Sequence, residues 1–152
     1  MMKDNLKFRV LDVQENTYCD LNRRDVMFFI NPDGELKQVV DLGPSETEPG
    51  VRQIFENTLP KVNFKVEFCT GLKDRHEKLI YQGDIIRCYY STPDGDDYED
   101  MEVRYDEKNL CWVAYDKIYN FSDATIFAED EFEQKNIEIV GNINTGVIYE
   151  GN

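Results

Sequence analysis

The sequence has 152 residues, 41% hydrophobic and 12% aromatic, with a formal net charge of −14. That apolar supply excludes an acidic disordered chain and suits one domain, or two small ones sharing a core. So large an excess of carboxylate repels phosphate, which disfavours direct binding to a nucleic-acid backbone.

Taken in chain order, the text predicts β structure almost throughout. Lys7–Val13 ("KFRVLDV") alternates as a strand, Glu15–Tyr18 turns, and "TYCDL" returns. Val26–Val40 ("VMFFINPDGELKQVV") predicts a hairpin, because two β-rich runs flank the turn residues Asn31-Pro32-Asp33-Gly34. Leu42–Gly50, with two prolines and two glycines, reads as a loop. In Val51–Leu59, the residues Val51, Ile54, Phe55 and Thr58 fall at helical spacing before Pro60, and the segment is predicted as a short helix.

Val62–Phe68 alternates strictly, predicting a half-buried strand with Val62, Phe64, Val66 and Phe68 inward and Asn63, Lys65 and Glu67 outward. Asp84–Tyr90 is a strand, and Ser91–Asp100 ("STPDGDDYED") is an acidic, turn-rich connection. Met101–Asp106 and Leu110–Asp116 form a second hairpin. Lys117–Phe127 holds a short strand or turn, and "AEDEFEQKN" an acidic loop or helical turn. Ile137–Ile143 is the closing strand, and a tail follows it. The expected fold is mainly β: an α+β part over residues 1–69, then an SH3-like barrel over 70–152, whose closure would remove sheet edges.

Charge is uneven along the chain. Residues 1–90 carry 15 acidic and 13 basic groups, whereas 91–138 carry 15 and 4. No apolar run is long enough to span a membrane and no signal-peptide core opens the chain, so a cytoplasmic protein is expected. Cys19, Cys69, Cys88 and Cys111 form no C-x-x-C pair and are expected as free thiols behaving as small hydrophobes.

Chemical motifs are few. His76 is the lone histidine, so a His-rich metal site is excluded, and it reads as a solvated loop residue. The acidic run fails the EF-hand template: counting from Asp94, the third position is Asp96, but the fifth is Tyr98 and the sixth Glu99. No catalytic, metal or cofactor site is expected. Tyr81, Tyr89, Tyr90, Tyr105, Trp112, Tyr115, Tyr119 and Phe121 supply a barrel core and rim, or an interaction surface.

One stretch carries a resemblance. "TGLKDRHEKLIYQGDIIR" (Thr70–Arg87) resembles the signature of the YopX family of phage and prophage proteins in Thr70, Gly71, Leu72, Lys73 and Asp74, then in Ile80, Tyr81, Gly83, Asp84, Ile85, Ile86 and Arg87. "KFRVLD", "VRYDEKNLCWVAY" and "IEIVGNI" resemble further parts of that family, although Leu11 stands where an aromatic residue is commoner. Asn22–Leu59 matches no part of it. The resemblance implies a small phage- or prophage-encoded protein in the bacterial host cytoplasm, with no assigned activity and a tendency to form homo-oligomers.

From the residues themselves, Thr70–Arg87 reads as an entry into the barrel. Gly71 and Gly83 provide sharp turns, Leu72 and Tyr81 anchor the flanks, and Asp84 accepts backbone hydrogen bonds at the strand start. The expectation is a non-enzymatic module that assembles with itself and contacts a basic host or phage protein. Its candidate binding residues are Lys73, Asp74, Arg75, Asp94, Asp96, Asp97, Glu99 and Asp100. The alternative is an acidic nucleic-acid mimic that occupies the basic site of a DNA-binding protein.

Overall fold

The computed structural model describes residues 8–128 and 132–146. Lys7 of the first predicted strand, residues 129–131 of the acidic loop and the tail from Val147 lie outside the described residues. The chain divides into two compact units, one of Arg9–Val66 and one running on from Glu67, to which Phe8 also belongs.

In the first unit, β1 (Phe8–Asp12) and β2 (Thr17–Tyr18) are antiparallel, with Leu11 opposite Tyr18. The Asp12 carboxylate accepts the Gln14 and Glu15 amides at 3.0 and 3.1 Å, which turns the chain. The predicted hairpin forms as β3 (Val26–Ile30) and β4 (Leu36–Pro44), with Val26 opposite Val40 and Ile30 opposite Leu36. The Asn31 side chain accepts the Glu35 amide at 2.8 Å, and Gly34 takes φ +78, a backbone conformation that its missing Cβ allows.

The predicted helix over Val51–Leu59 is instead a strand, β5 (Arg52–Thr58), at the edge of a three-stranded sheet ordered β3-β4-β5. Seven residues are too few for a helix to hold without tertiary packing. Beside β4 the same residues pair from Pro44–Arg52 to Lys37–Thr58, and Ile54, Phe55 and Thr58 favour extended backbone. Among the described residues there is no α-helix, so the α+β character expected of residues 1–69 is not found. The two short helices are single 3-10 turns, Thr125–Phe127 and Gln134–Asn136. No helix among the described residues is long and apolar enough to cross a membrane.

The second unit contains most of β6 (Phe64–Lys73), which pairs with β7 (Leu79–Tyr81). Its main body is an antiparallel sheet ordered β11-β10-β9-β8-β12 that curls into a half-barrel. These strands are β8 (Asp84–Thr92), β9 (Gly95–Asp106), β10 (Cys111–Asp116), β11 (Phe121–Asp123) and β12 (Ile137–Asn142). One face buries Ile80, Ile86, Met101, Val103, Ala114 and Ile137, with Leu72, Trp112 and Phe127 packed against them.

Two further expectations are corrected. The phase read for Val62–Phe68 does not hold: Glu67 is buried, Phe68 is exposed beside the Phe8 ring, and Val62 is exposed. The Glu67 carboxylate goes inward because the side-chain amides of Asn142 and Asn144 donate to it, at 3.3 and 2.8 Å. The acidic connection Ser91–Asp100 is not a loop. β8 and β9 run through it and turn tightly at Pro93-Asp94, between paired Thr92 and Gly95. Both strand ends stand in solvent, where charged side chains are tolerated on a pleated backbone.

Of the cysteines, Cys69 is buried, the other three are partly buried, and all four are free. The aromatics divide: Trp112 joins the core, while Tyr90, Tyr98, Tyr119 and Phe121 face solvent.

Candidate functional site

The turn between β6 and β7 is organised by one buried side chain. Asp74 accepts the amides of His76 and Lys78 on Oδ1, at 2.9 and 3.0 Å, and the amide of Ile139 on Oδ2 at 3.1 Å. Its own N–H donates to the Lys78 carbonyl, and the Arg75 N–H donates to Ile137. This carboxylate closes the turn and fastens it to β12 at a bulge between Ile139 and Gly141. Asp74 therefore offers no surface to a partner, unlike its neighbours Lys73 and Arg75.

The start of β8 is held by a second buried network. Asp84 accepts the Tyr81 amide on Oδ2 at 2.8 Å and the Asn142 amide on Oδ1 at 3.1 Å. Asn142 also donates to Glu67, so one side-chain amide bridges two buried carboxylates. Gly83 sits against this network at φ +88, with its carbonyl taken by the Ile143 N–H. Gly71 lies at the edge of the turn in the same left-handed region, at φ +83, with open space where a Cβ would be. Gly71, Leu72, Tyr81, Gly83 and Asp84 thus line the entry into the sheet.

The turn presents His76 and Arg75 to the sheet face opposite the core. His76 Nε2 lies 3.1 Å from Glu138 Oε1, and the Tyr89 hydroxyl donates to Glu138 Oε2 at 2.7 Å. The Tyr89 hydrogen bond holds the Glu138 carboxyl below its ordinary pKa, with help from His76 and Arg75 and against the opposing effect of burial. The Arg75 guanidinium stands 5.0 Å over the Tyr89 ring, and Arg87 stands 4.1 Å over Tyr98 while making two hydrogen bonds to Asp100. His76 is therefore half exposed in the turn, and is also tied to a buried carboxylate that the sequence did not reveal.

These elements enclose a shallow cleft of ≈ 250 Å³ lined by Arg75, Tyr89, Tyr90, Ser91, Asp96, Lys135 and Asn136. Two of the sequence-predicted binding residues, Arg75 and Asp96, meet there. The Ser91 hydroxyl donates to Asp96 at 2.8 Å. Asp94, Asp97 and Glu99 stand in solvent along the hairpin, Asp100 is engaged by Arg87, and Lys73 reaches Glu77 at 3.4 Å. Among the described residues no group of three or more His, Cys, Asp or Glu side chains is arranged to hold a metal ion.

Sequence reasoning missed Glu138, Lys135 and Asn136. Glu138 alternates with Ile137 and Ile139, which marks it only as facing away from the core. What covers it is a turn sixty-two residues earlier in the chain.

Comparison with known proteins adds a family and a fold. A family model described as YopX protein matches residues 7–146. Among solved structures, protein YopX from Bacillus subtilis superposes with a TM-score of 0.55 at 15% identity, covering 92% of this chain and 94% of that one. Protein EF1440 from Enterococcus faecalis gives 0.49 at 20% identity over the same shares of the two chains. No curated protein matches the sequence.

Proposed function

The chain belongs to the YopX family, and from that premise we propose that it is a non-enzymatic, self-associating interaction module, encoded by a phage or prophage and acting inside the bacterial host. In this reading the half-barrel that β8–β12 form belongs to an SH3-like barrel over residues 70–152. The partner is a host or phage protein with a basic surface. The contact face is the outer part of the β8–β9 hairpin.

The carrying observation is the exposure of every residue from Gly95 to Asp100, with Tyr90 and Tyr98 exposed at the same level of the hairpin. Carboxylates there meet basic groups over a Debye length, and flat Tyr rings provide contact area at small entropic cost.

The test is affinity capture from a bacterial host lysate at low and high salt, with the native chain and an Asp94→Asn, Asp97→Asn, Glu99→Gln variant. The expected result is one dominant protein held by the native chain, released by salt and lost with the variant. Equal capture by the variant overturns the hairpin as contact face, and no capture by the native chain overturns the reading. The exposed carboxylate row also favours a second reading, the nucleic-acid mimic: its captured protein would bind DNA and be displaced by DNA.

A further inference from the structure

The open edge of β5 has features that the hairpin reading does not use. Among the described residues, no strand other than β4 pairs with β5. Six of its seven residues are exposed, including Ile54 at 65% and Phe55 at 54%. Natural sheets shield such an edge with a proline, an inward charge or a covering segment. β5 has no proline, and its two charged residues, Arg52 and Glu56, flank Ile54 symmetrically.

The ladder shows which backbone groups are open. Leu59 N–H donates to the Leu36 carbonyl at 2.9 Å, and Ser45 N–H to the Val51 carbonyl at 2.7 Å. With the register of β4 and β5, these bonds make Lys37–Thr58 and Pro44–Arg52 the pairs that do not exchange hydrogen bonds. The N–H and C=O groups of Arg52, Ile54 and Glu56 accordingly point away from β4, into solvent. Their side chains share one face of the strand, and Gln53, Phe55 and Asn57 share the other.

We propose that a second copy of this chain pairs antiparallel along the β5 edge, with the two-fold axis at Ile54. Outward-facing residues meet outward-facing residues only in certain registers. The one centred on Ile54 places Arg52 opposite Glu56 of the second copy twice over, and Ile54 opposite Ile54. On the other face Phe55 lies opposite Gln53. Centring on Phe55 would set Ile54 against Glu56, and centring on Glu56 would set two carboxylates together. Charge complementarity thus selects both the occupant and the register. Arg52 already donates from Nε and Nη2 to Asp41 of β4, at 3.2 and 2.7 Å, so a carboxylate across the edge would share a guanidinium held at the strand. A self-paired β5 joins two three-stranded sheets into one of six strands, a closed two-fold contact.

This inference rests on the self-association in the reading above and names its surface. The test is sedimentation of the native chain, Glu56→Arg, and Arg52→Glu/Glu56→Arg over a dilution series, with circular dichroism to check folding. Both substitution sites are in solvent, so folded variants are expected. Glu56→Arg sets like charges opposite each other twice and should weaken dimerisation about tenfold or more. The charge-swapped double variant should restore it. A native dimer that Glu56→Arg leaves intact overturns the β5 contact while self-association stands. Weakening without restoration in the double variant overturns the register. A native chain that stays monomeric overturns both.

Discussion

Asp74 Oδ2 accepts the backbone amide of Ile139 at 3.1 Å, across a sequence separation of 65. With the His76 and Lys78 amides on Oδ1, one buried carboxylate satisfies three backbone donors. Asp74→Ala leaves all three without that acceptor. The expected loss is ~3 kcal/mol in urea unfolding, against less than ~0.5 kcal/mol for the exposed Lys78→Ala. Similar losses for the two would show that Asp74 is not the fastening point.

Gly83 tests the same region through the backbone. At φ +88 an L side chain is strained, and a Cβ would stand 3.4 Å from Asn144, Glu67 and Ile143 atoms. Gly83→Ala should cost ~1–2 kcal/mol. Gly71→Ala shares the strain without the neighbours, so it should cost no more than Gly83→Ala. The comparison is read from thermal melts of the two variants, and a larger loss at Gly71 would overturn it.

Acid stability should depend on Glu138. Its carboxyl lies below the ordinary value in the folded chain, chiefly through the Tyr89 hydroxyl. A depressed carboxyl stabilises the fold above its unfolded pKa, about 4.3, and that contribution fades as the pH falls through the folded value. Glu138→Gln should therefore differ most from the native chain near neutrality, and the gap should narrow on acidification. Tyr89→Phe should show the same trend with a smaller amplitude. Melts between about pH 7 and pH 3 give the gap, and one constant across that range would overturn the assignment.

Cys88 should be nearly inert. Burial, with the carboxylates of Glu99, Asp100 and Asp123 nearby, pushes its thiol up to about 12. The thiolate is the nucleophile, so alkylation of Cys88 in the native chain at pH 8 should be ~1000-fold slower than in the denatured chain. Site-resolved mass spectrometry of the alkylated protein measures it. Labelling at comparable rates would show that the environment of Cys88 is not the one described.

Much of the β content was legible locally. The Asn31–Gly34 turn, the β9–β10 hairpin and the closing strand Ile137–Asn142 all follow from turn residues and alternation acting within a few positions. The misreadings share a cause. Ile54 and Phe55 sit at a spacing that serves a helix or an edge strand equally, and only pairing with β4 decides between them. Glu67 looked like a solvent residue because its partners, Asn142 and Asn144, lie more than seventy residues away.

The site divides in the same way. Arg75 and the acidic run stood out by composition, whereas Glu138, Lys135 and Asn136 carried no local signal. What the sequence by itself determined was the family, the predominance of strands and the turn at Asp74, since each depends on short-range chemistry that the residues carry with them. The tertiary structure alone decided that Asp74 is spent inside the fold, that Arg75 and Asp96 share a cleft, and that β5 is left open. Burial and hydrogen-bond satisfaction depend on neighbours brought together from distant parts of the chain, and periodicity along a single strand does not contain them.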